Sequence, residues 1–237
     1  MLLIHYRVDM STSFSQAKIP SLVTAPCLLE AETPAITTDC LPFFSDVASE
    51  WYARFPGSTE IMESILGLWD MFFRLNLGTI QISDNPQDEN CIWRFMHPVL
   101  DQLLRYRCPA GMCEDRFVIH EACRISGLLS LAQIRRMLGI APVSTVIYAS
   151  RAQRLVLEYQ VDWAGLESLK LWVLLTIALE AQDPSIHEQL AQEAGRLVSM
   201  ANLDHVEKLQ KEFKNVMWVD SGSLRKLQSF WLRMTWQ

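Results

Sequence analysis

Clustered basic residues are missing from this sequence, and that absence removes a first class of function. Its basic residues adjoin at most two at a time, as at Arg135 and Arg136, and the formal net charge over 237 residues is −6. Affinity for a phosphate backbone comes mostly from Lys and Arg that displace counterions, so direct nucleic-acid binding by this chain is not expected. Long uncharged apolar runs are missing too. The longest, Met137 to Ser150, contains Gly139 and Pro142 and falls short of the roughly 18 to 20 apolar residues that span a bilayer. Met1 to Ile4, followed by His5 and Arg7, lacks the ordered basic and hydrophobic regions of a secretory signal. Glycine is scarce at 9 and proline modest at 10, which disfavours turn-rich β architectures. The six cysteines, Cys27, Cys40, Cys91, Cys108, Cys113 and Cys123, show no paired framework. A chain of this length needs no disulfide staples, so they read as thiols of a reducing compartment. The expected location is intracellular, nuclear or cytoplasmic, with no membrane partner.

What is present is apolar and helical. Half of the residues are hydrophobic and a fifth charged, with 10 Met and 8 Trp, a composition able to bury a sizeable core. Residues 1–41 differ from the rest: Ser, Thr, Ala and Pro are frequent, and Pro20, Pro26 and Pro34 divide the stretch, with Pro42 just beyond it. They read as an irregular or partly disordered arm, with Leu28, Leu29 and Ile36 available to strap it across the domain. Residues 42–237 read as one helical domain. Ile61, Ile65, Leu68, Trp69, Phe72, Phe73 and Leu75 recur at three- and four-residue steps before Gly78. A helix is expected through Trp93 to Tyr106, bent or interrupted at Pro98. The strongest helix runs from Glu114 to Leu138, with Phe117, Ile119, Ala122, Ile125, Leu128, Leu129, Leu131, Ala132 and Ile134 on one wide face. Another follows Pro142 through Leu157. After Asp162 comes a nearly all-apolar segment with Leu166, Leu169, Trp172, Val173, Leu175, Thr176 and Leu179, the pattern of a centrally buried helix. Ser185 with Glu188, and Asp204 with Glu207, have capping-box spacing, and a last helix follows Ser221. The fold class is all-α: a single multi-helix domain of about eight or nine helices with an irregular N-terminal arm.

Candidate chemistry is thin. Cys108, Cys113, Cys123, His120 and His97 are the residues a zinc site would draw on, but a structural site needs four converging ligands from closely spaced pairs. His120 and Glu121 beside Cys123 form the one cluster resembling a nucleophile with a base. Adjacent helical residues point about 100° apart, so Glu121 does not face with His120, and a histidine with a local hydrogen bond is the simpler reading. The sequence has no GxSxG, HExxH, GxGxxG or GxxxxGK(S/T). Asp70 alone does not make a magnesium site, and the acidic QDEN and CED stretches read as helix starts. Arg135 and Arg136 are explained by the helix dipole. The aromatic and methionine-rich faces read mainly as core, and otherwise as the lining for a hydrophobic effector. No residue is assigned a catalytic, cofactor-binding or metal-binding role, and no cofactor is expected.

Three blocks carry a family resemblance. HEACRISGLLSLAQIRRMLGIAPV (His120 to Val143) resembles a recurrent stretch of fungal-specific transcription-factor domains, in which a helix leads into a basic pair and a Gly-Ile-x-Pro turn. VDWAGLESLKLWVLLTIALEA (Val161 to Ala181) resembles the same family's Asp-Trp-x-Gly-Leu-x-x-Leu-x-Leu-Trp helix. VMWVDSGSLRKLQSFW (Val216 to Trp231) is similar to its C-terminal tryptophan turn and closing helix. The resemblance implies the helical regulatory region of a zinc-cluster transcription regulator, acting through a protein partner, a homodimer or an effector. The zinc-cluster module requires a basic, six-cysteine N-terminal stretch, and residues 1–41 offer Cys27 and Cys40 alone. Autonomous DNA recognition is therefore not expected. Two other readings stand beside it: a small-molecule enzyme or ligand-binding protein of a fungal metabolic pathway, and a regulatory domain separated from its module.

Overall fold

The computed structural model describes residues 2–18, 20, 42–76, 86–108, 111–137, 143–200 and 230. Among them are eight α-helices and no strand: α1 (Leu2–Gln16), α2 (Pro42–Arg54), α3 (Thr59–Asn76), α4 (Pro86–Arg105), α5 (Glu114–Met137), α6 (Val146–Leu157), α7 (Glu167–Glu180) and α8 (Pro184–Met200). The all-α fold read from periodicity is the fold observed.

Helix α5 is the axis of the domain, packing against α3, α4, α6 and α7. Every residue from Val118 to Arg135 is buried. One glycine makes the closest approach possible. A Cβ on Gly127 would lie 2.9 Å from Cδ1 of Leu103, so any larger residue would have to displace the Leu103 side chain of α4. Helix α7 is the second central element, in contact with α5, α6 and α8, and Leu169 to Leu179 are all buried. Its apolar circumference forces this position, since each large side chain left in water would forfeit about 1.5 to 3 kcal/mol. In α3 the apolar stripe faces inward as its spacing demands, with Phe73 partly buried at its edge. The stripe on α5 does likewise except for Phe117, which is 37% exposed.

Several local features differ from the sequence pattern. Residues Leu2–Gln16 are helical, and the prolines behind the irregular reading of 1–41 begin only at Pro20. Met10 and Phe14 enter the core, and the Tyr148 hydroxyl donates to the Phe14 carbonyl at 2.8 Å. Leu28, Leu29 and Ile36 lie outside the described residues. Helix α4 begins at Pro86 and continues through Pro98 without interruption; Pro98 removes one N–H from the ladder, and its ring crowds the carbonyl four residues earlier. The cap of α8 is Asp183, not Ser185. Asp183 Oδ1 accepts the Ser185 N–H at 2.8 Å, which also holds its carboxyl below the usual range, and Pro184 takes the first helical position. The Asp204–Glu207 box, the helix after Ser221 and the terminators Gly78 and Gly139 lie outside the described residues, apart from Phe230. That side chain is buried, its ring 5.6 Å from His187.

The turn before α7 gives the Asp-Trp-x-Gly-Leu block a physical basis. Asp162 Oδ1 accepts the Ala164 N–H at 2.9 Å, and Gly165 has the positive φ of 80° that an L side chain resists. Trp163 and Leu166 are buried on either side. Arg54 of α2 fastens the turn by donating to the carbonyls of Asp162 and Ala164 at 2.5 and 2.7 Å. No helix among the described residues is long and apolar enough to cross a membrane.

Candidate functional site

Two polar systems lie on adjoining faces of α5. The first centres on His120, which is fully buried. Its ring stacks on Trp51 at 4.7 Å and meets Phe55 edge-on at 4.9 Å. Its Nδ1 is 2.6 Å from the Tyr106 hydroxyl, and Nε2 has no hydrogen-bond partner among the described residues. A buried N–H without a partner costs more than a bare lone pair, so the favoured tautomer places the proton on Nδ1, donating to Tyr106. The Tyr106 hydroxyl can then donate to Cys108, with which it also interacts. Cys108 in turn lies 3.1 Å from the Met112 sulfur. The histidine's partner is thus fourteen residues away, not a local group.

Burial, reinforced by the nearby Arg116, pulls the His120 pKa down from 6.5 to about 4. The imidazole is therefore uncharged at neutral pH. The unfolded chain protonates near 6.5, so between 6.5 and about 4 the unfolded state holds more protons than the folded state. His120's contribution to stability is complete above pH 6.5 and is lost as the pH falls towards 4. The expected loss is on the order of 2 to 3 kcal/mol. Urea unfolding at about pH 7.5 and 4.5 measures it, and His120→Phe should flatten that part of the profile. An unchanged pH difference in the variant would contradict the assignment.

The second system is an ion triad. Glu121 accepts from Arg124 Nε at 2.7 Å and Nη2 at 2.8 Å, and Arg151 of α6 pairs with the same carboxylate at 2.9 Å. Arg124 also donates to the Leu103 carbonyl at 3.1 Å, while Arg107 Nη1 donates to the Leu104 carbonyl at 2.9 Å. Two arginines therefore satisfy carbonyls that the last turn of α4 leaves unpaired.

A cavity of about 350 Å³ opens beside the triad, where the ends of α1 and α4 meet the flanks of α5 and α6. Its lining includes Lys18, Leu104, Tyr106, Arg107, Cys108, Phe117, Glu121, Arg124, Tyr148 and Arg151. Burial pushes the thiol of Cys108 up, likewise the hydroxyl of Tyr106, and that of Tyr148 to about 12. A larger hollow of about 810 Å³ lies between residues 156–170 and α8. Its charges are mixed in sign, with Lys170 paired to Glu193 at 2.5 Å.

The residues considered for chemistry are dispersed. Glu121 faces Arg124 and Arg151, whereas His120 faces Trp51 and Tyr106. Cys123 lies in the core, its thiol pushed well above the ordinary range by burial. His97 is buried on α4, and Cys113 is exposed. Among the described residues no three of His, Cys, Asp and Glu converge as metal ligands. Asp70 pairs with Arg74 at 2.7 Å. Arg136 pairs with Glu180, which also accepts from Thr145 at 2.7 Å, and buried Arg135 reaches Ser11 at 3.3 Å. That basic pair joins helices as well as fitting the dipole. A thiol held protonated is a poor nucleophile, and the buried imidazole of His120 has a tyrosine, not a carboxylate, behind it. The arrangement suits binding better than nucleophilic catalysis.

Tyr106, Arg124, Tyr148 and Arg151 were not visible as a site in the sequence. The one available signal was Glu121 and Arg124 at i and i+3 inside an otherwise apolar helix. Compared with known proteins, no family model matches the chain, and no curated protein or solved structure matches it significantly.

Proposed function

We propose that the chain is a helical regulatory domain of the kind found in fungal zinc-cluster transcription regulators. In this reading it works in the nucleus on metabolic genes, through a protein partner, a second copy or a bound effector, and without recognising DNA itself. The reading is supported chiefly by where the resemblance blocks lie. The first runs along α5, the second forms the Asp162–Leu166 turn and α7, and these two helices pack together at the centre of the domain. The shared pattern therefore includes residues with identifiable packing and turn-forming roles. The acidic balance of −6 supports the absence of autonomous DNA binding.

The test is to fuse the chain to a heterologous DNA-binding module upstream of a reporter in a fungal host. Reporter output should change several-fold relative to the module alone. Output identical to the module alone, at equal protein level, would overturn the regulatory reading. A ligand-binding protein or enzyme on the same scaffold is the second reading, favoured by the polar cavity beside Glu121, Arg124 and Arg151.

A further inference from the structure

The cavity between α1, α4, α5 and α6 has a charge pattern opposite to that of the chain. Four of its lining residues are cationic, Lys18, Arg107, Arg124 and Arg151, against the single carboxylate of Glu121, in a chain whose formal net charge is −6. Concave surfaces lined by one sign of charge concentrate ions of the other. Within this hollow Arg124 alone already holds both oxygens of Glu121. Arg151 adds a second guanidinium to the same carboxylate, and its side chain is still 48% exposed. Positive charge in the triad thus exceeds what the internal pair requires.

We propose that this cavity binds a small, singly charged carboxylate with an apolar body, its carboxylate held by Arg151 beside Arg124. The volume, about 350 Å³, lies at the small end of the range for ligand pockets. A guanidinium offers parallel N–H groups that match the two oxygens of a carboxylate. Phe117 departs from the buried stripe of α5, being 37% exposed, and with Leu104 it supplies the apolar part of the cavity lining. The preference for one negative charge follows from the neighbouring helix ends. The C-terminal ends of both α1 and α4 line the hollow, and Arg107 and Arg124 are already engaged by the carbonyls of the α4 end, which leaves Arg151 as the guanidinium available for a single negative charge. Lys18 is placed at the rim by the closing turn of α1. There Ala17 has a φ of 53° and the Lys18 N–H bonds to the Ser13 carbonyl at 2.9 Å. The inference goes beyond the regulatory reading, and it replaces a hydrophobic effector with an amphiphilic anion.

Titration calorimetry on the full chain, with benzoate as the probe and inorganic phosphate as the comparison, tests the site. Saturable single-site binding of benzoate is expected, with phosphate weaker. Arg151→Gln should weaken benzoate binding by roughly tenfold or more. Arg154→Gln, an exposed residue of the same helix outside the cavity, should leave it unchanged. Because Arg124 retains Glu121 without Arg151, the Arg151 variant should fold, and its thermal unfolding verifies this. Lys18→Gln, at the rim, supplies a second variant and should weaken binding a few-fold. Absence of saturable benzoate binding, or equal affinity in Arg151→Gln, would overturn the site. Tighter binding of phosphate would overturn the carboxylate assignment. These outcomes read binding alone, so their failure leaves the reporter experiment independent.

Discussion

Replacing Glu121 by alanine should lower the unfolding free energy by about 3 to 5 kcal/mol, the cost of leaving a buried ion without its partner. The Glu121 and Arg124 side chains are 8% and 11% exposed, and they are joined by two charge-assisted bonds. Without the carboxylate, Arg124 remains tied to the Leu103 carbonyl, with its charge uncompensated in the junction of α4, α5 and α6. Arg151→Gln tests the other side of the triad. Its side chain is 48% exposed, so the expected cost is at most about 1 kcal/mol. A double replacement, Glu121→Leu with Arg124→Met, should recover most of the single-variant loss, because it removes both buried charges together. A residual cost of about 1 kcal/mol is expected from the orphaned Leu103 carbonyl. Urea unfolding of the three variants measures the series. A Glu121→Ala cost below about 1 kcal/mol would mean that water reaches Arg124, and the buried-triad description would fail.

The same residues show what sequence could and could not reveal. Helices α3, α5, α6 and α7 were legible because apolar residues at 3.6-residue spacing have few alternatives to burial, and Leu169 to Leu179 had to be central. Capping was less legible. Asp183 and Ser185 are both good N-cap residues, and Pro184 decides between them by favouring the first helical position. The site was least legible, because it is made by tertiary contacts between residues far apart in the chain. Tyr106 meets His120 across fourteen positions, and the Arg151–Glu121 pair joins two helices. In sequence, Arg151 is one more charge on an amphipathic helix. Only the packing of α6 on α5 places it against a carboxylate already occupied by Arg124.

The largest packing effect is expected at Trp172, where alanine should cost about 3 to 5 kcal/mol. The indole is fully buried on α7 and meets Trp69 of α3 edge to face, with centroids 5.6 Å apart and planes at 86°. A cycle with Trp69→Ala should give a coupling of about 0.5 to 1.5 kcal/mol for the ring pair. Phenylalanine at 172 should behave differently. The Trp172 Nε1 is buried without a hydrogen-bond partner among the described residues, so Trp172→Phe removes an unsatisfied donor together with ring volume. Relief of that donor, worth about 1 to 3 kcal/mol, offsets much of the lost contact, and the expected net cost is below about 1.5 kcal/mol. Urea unfolding distinguishes the two substitutions. If phenylalanine costs as much as alanine, the indole N–H is not a stored penalty, and the ring's role at the α3–α7 contact depends on its full bicyclic shape.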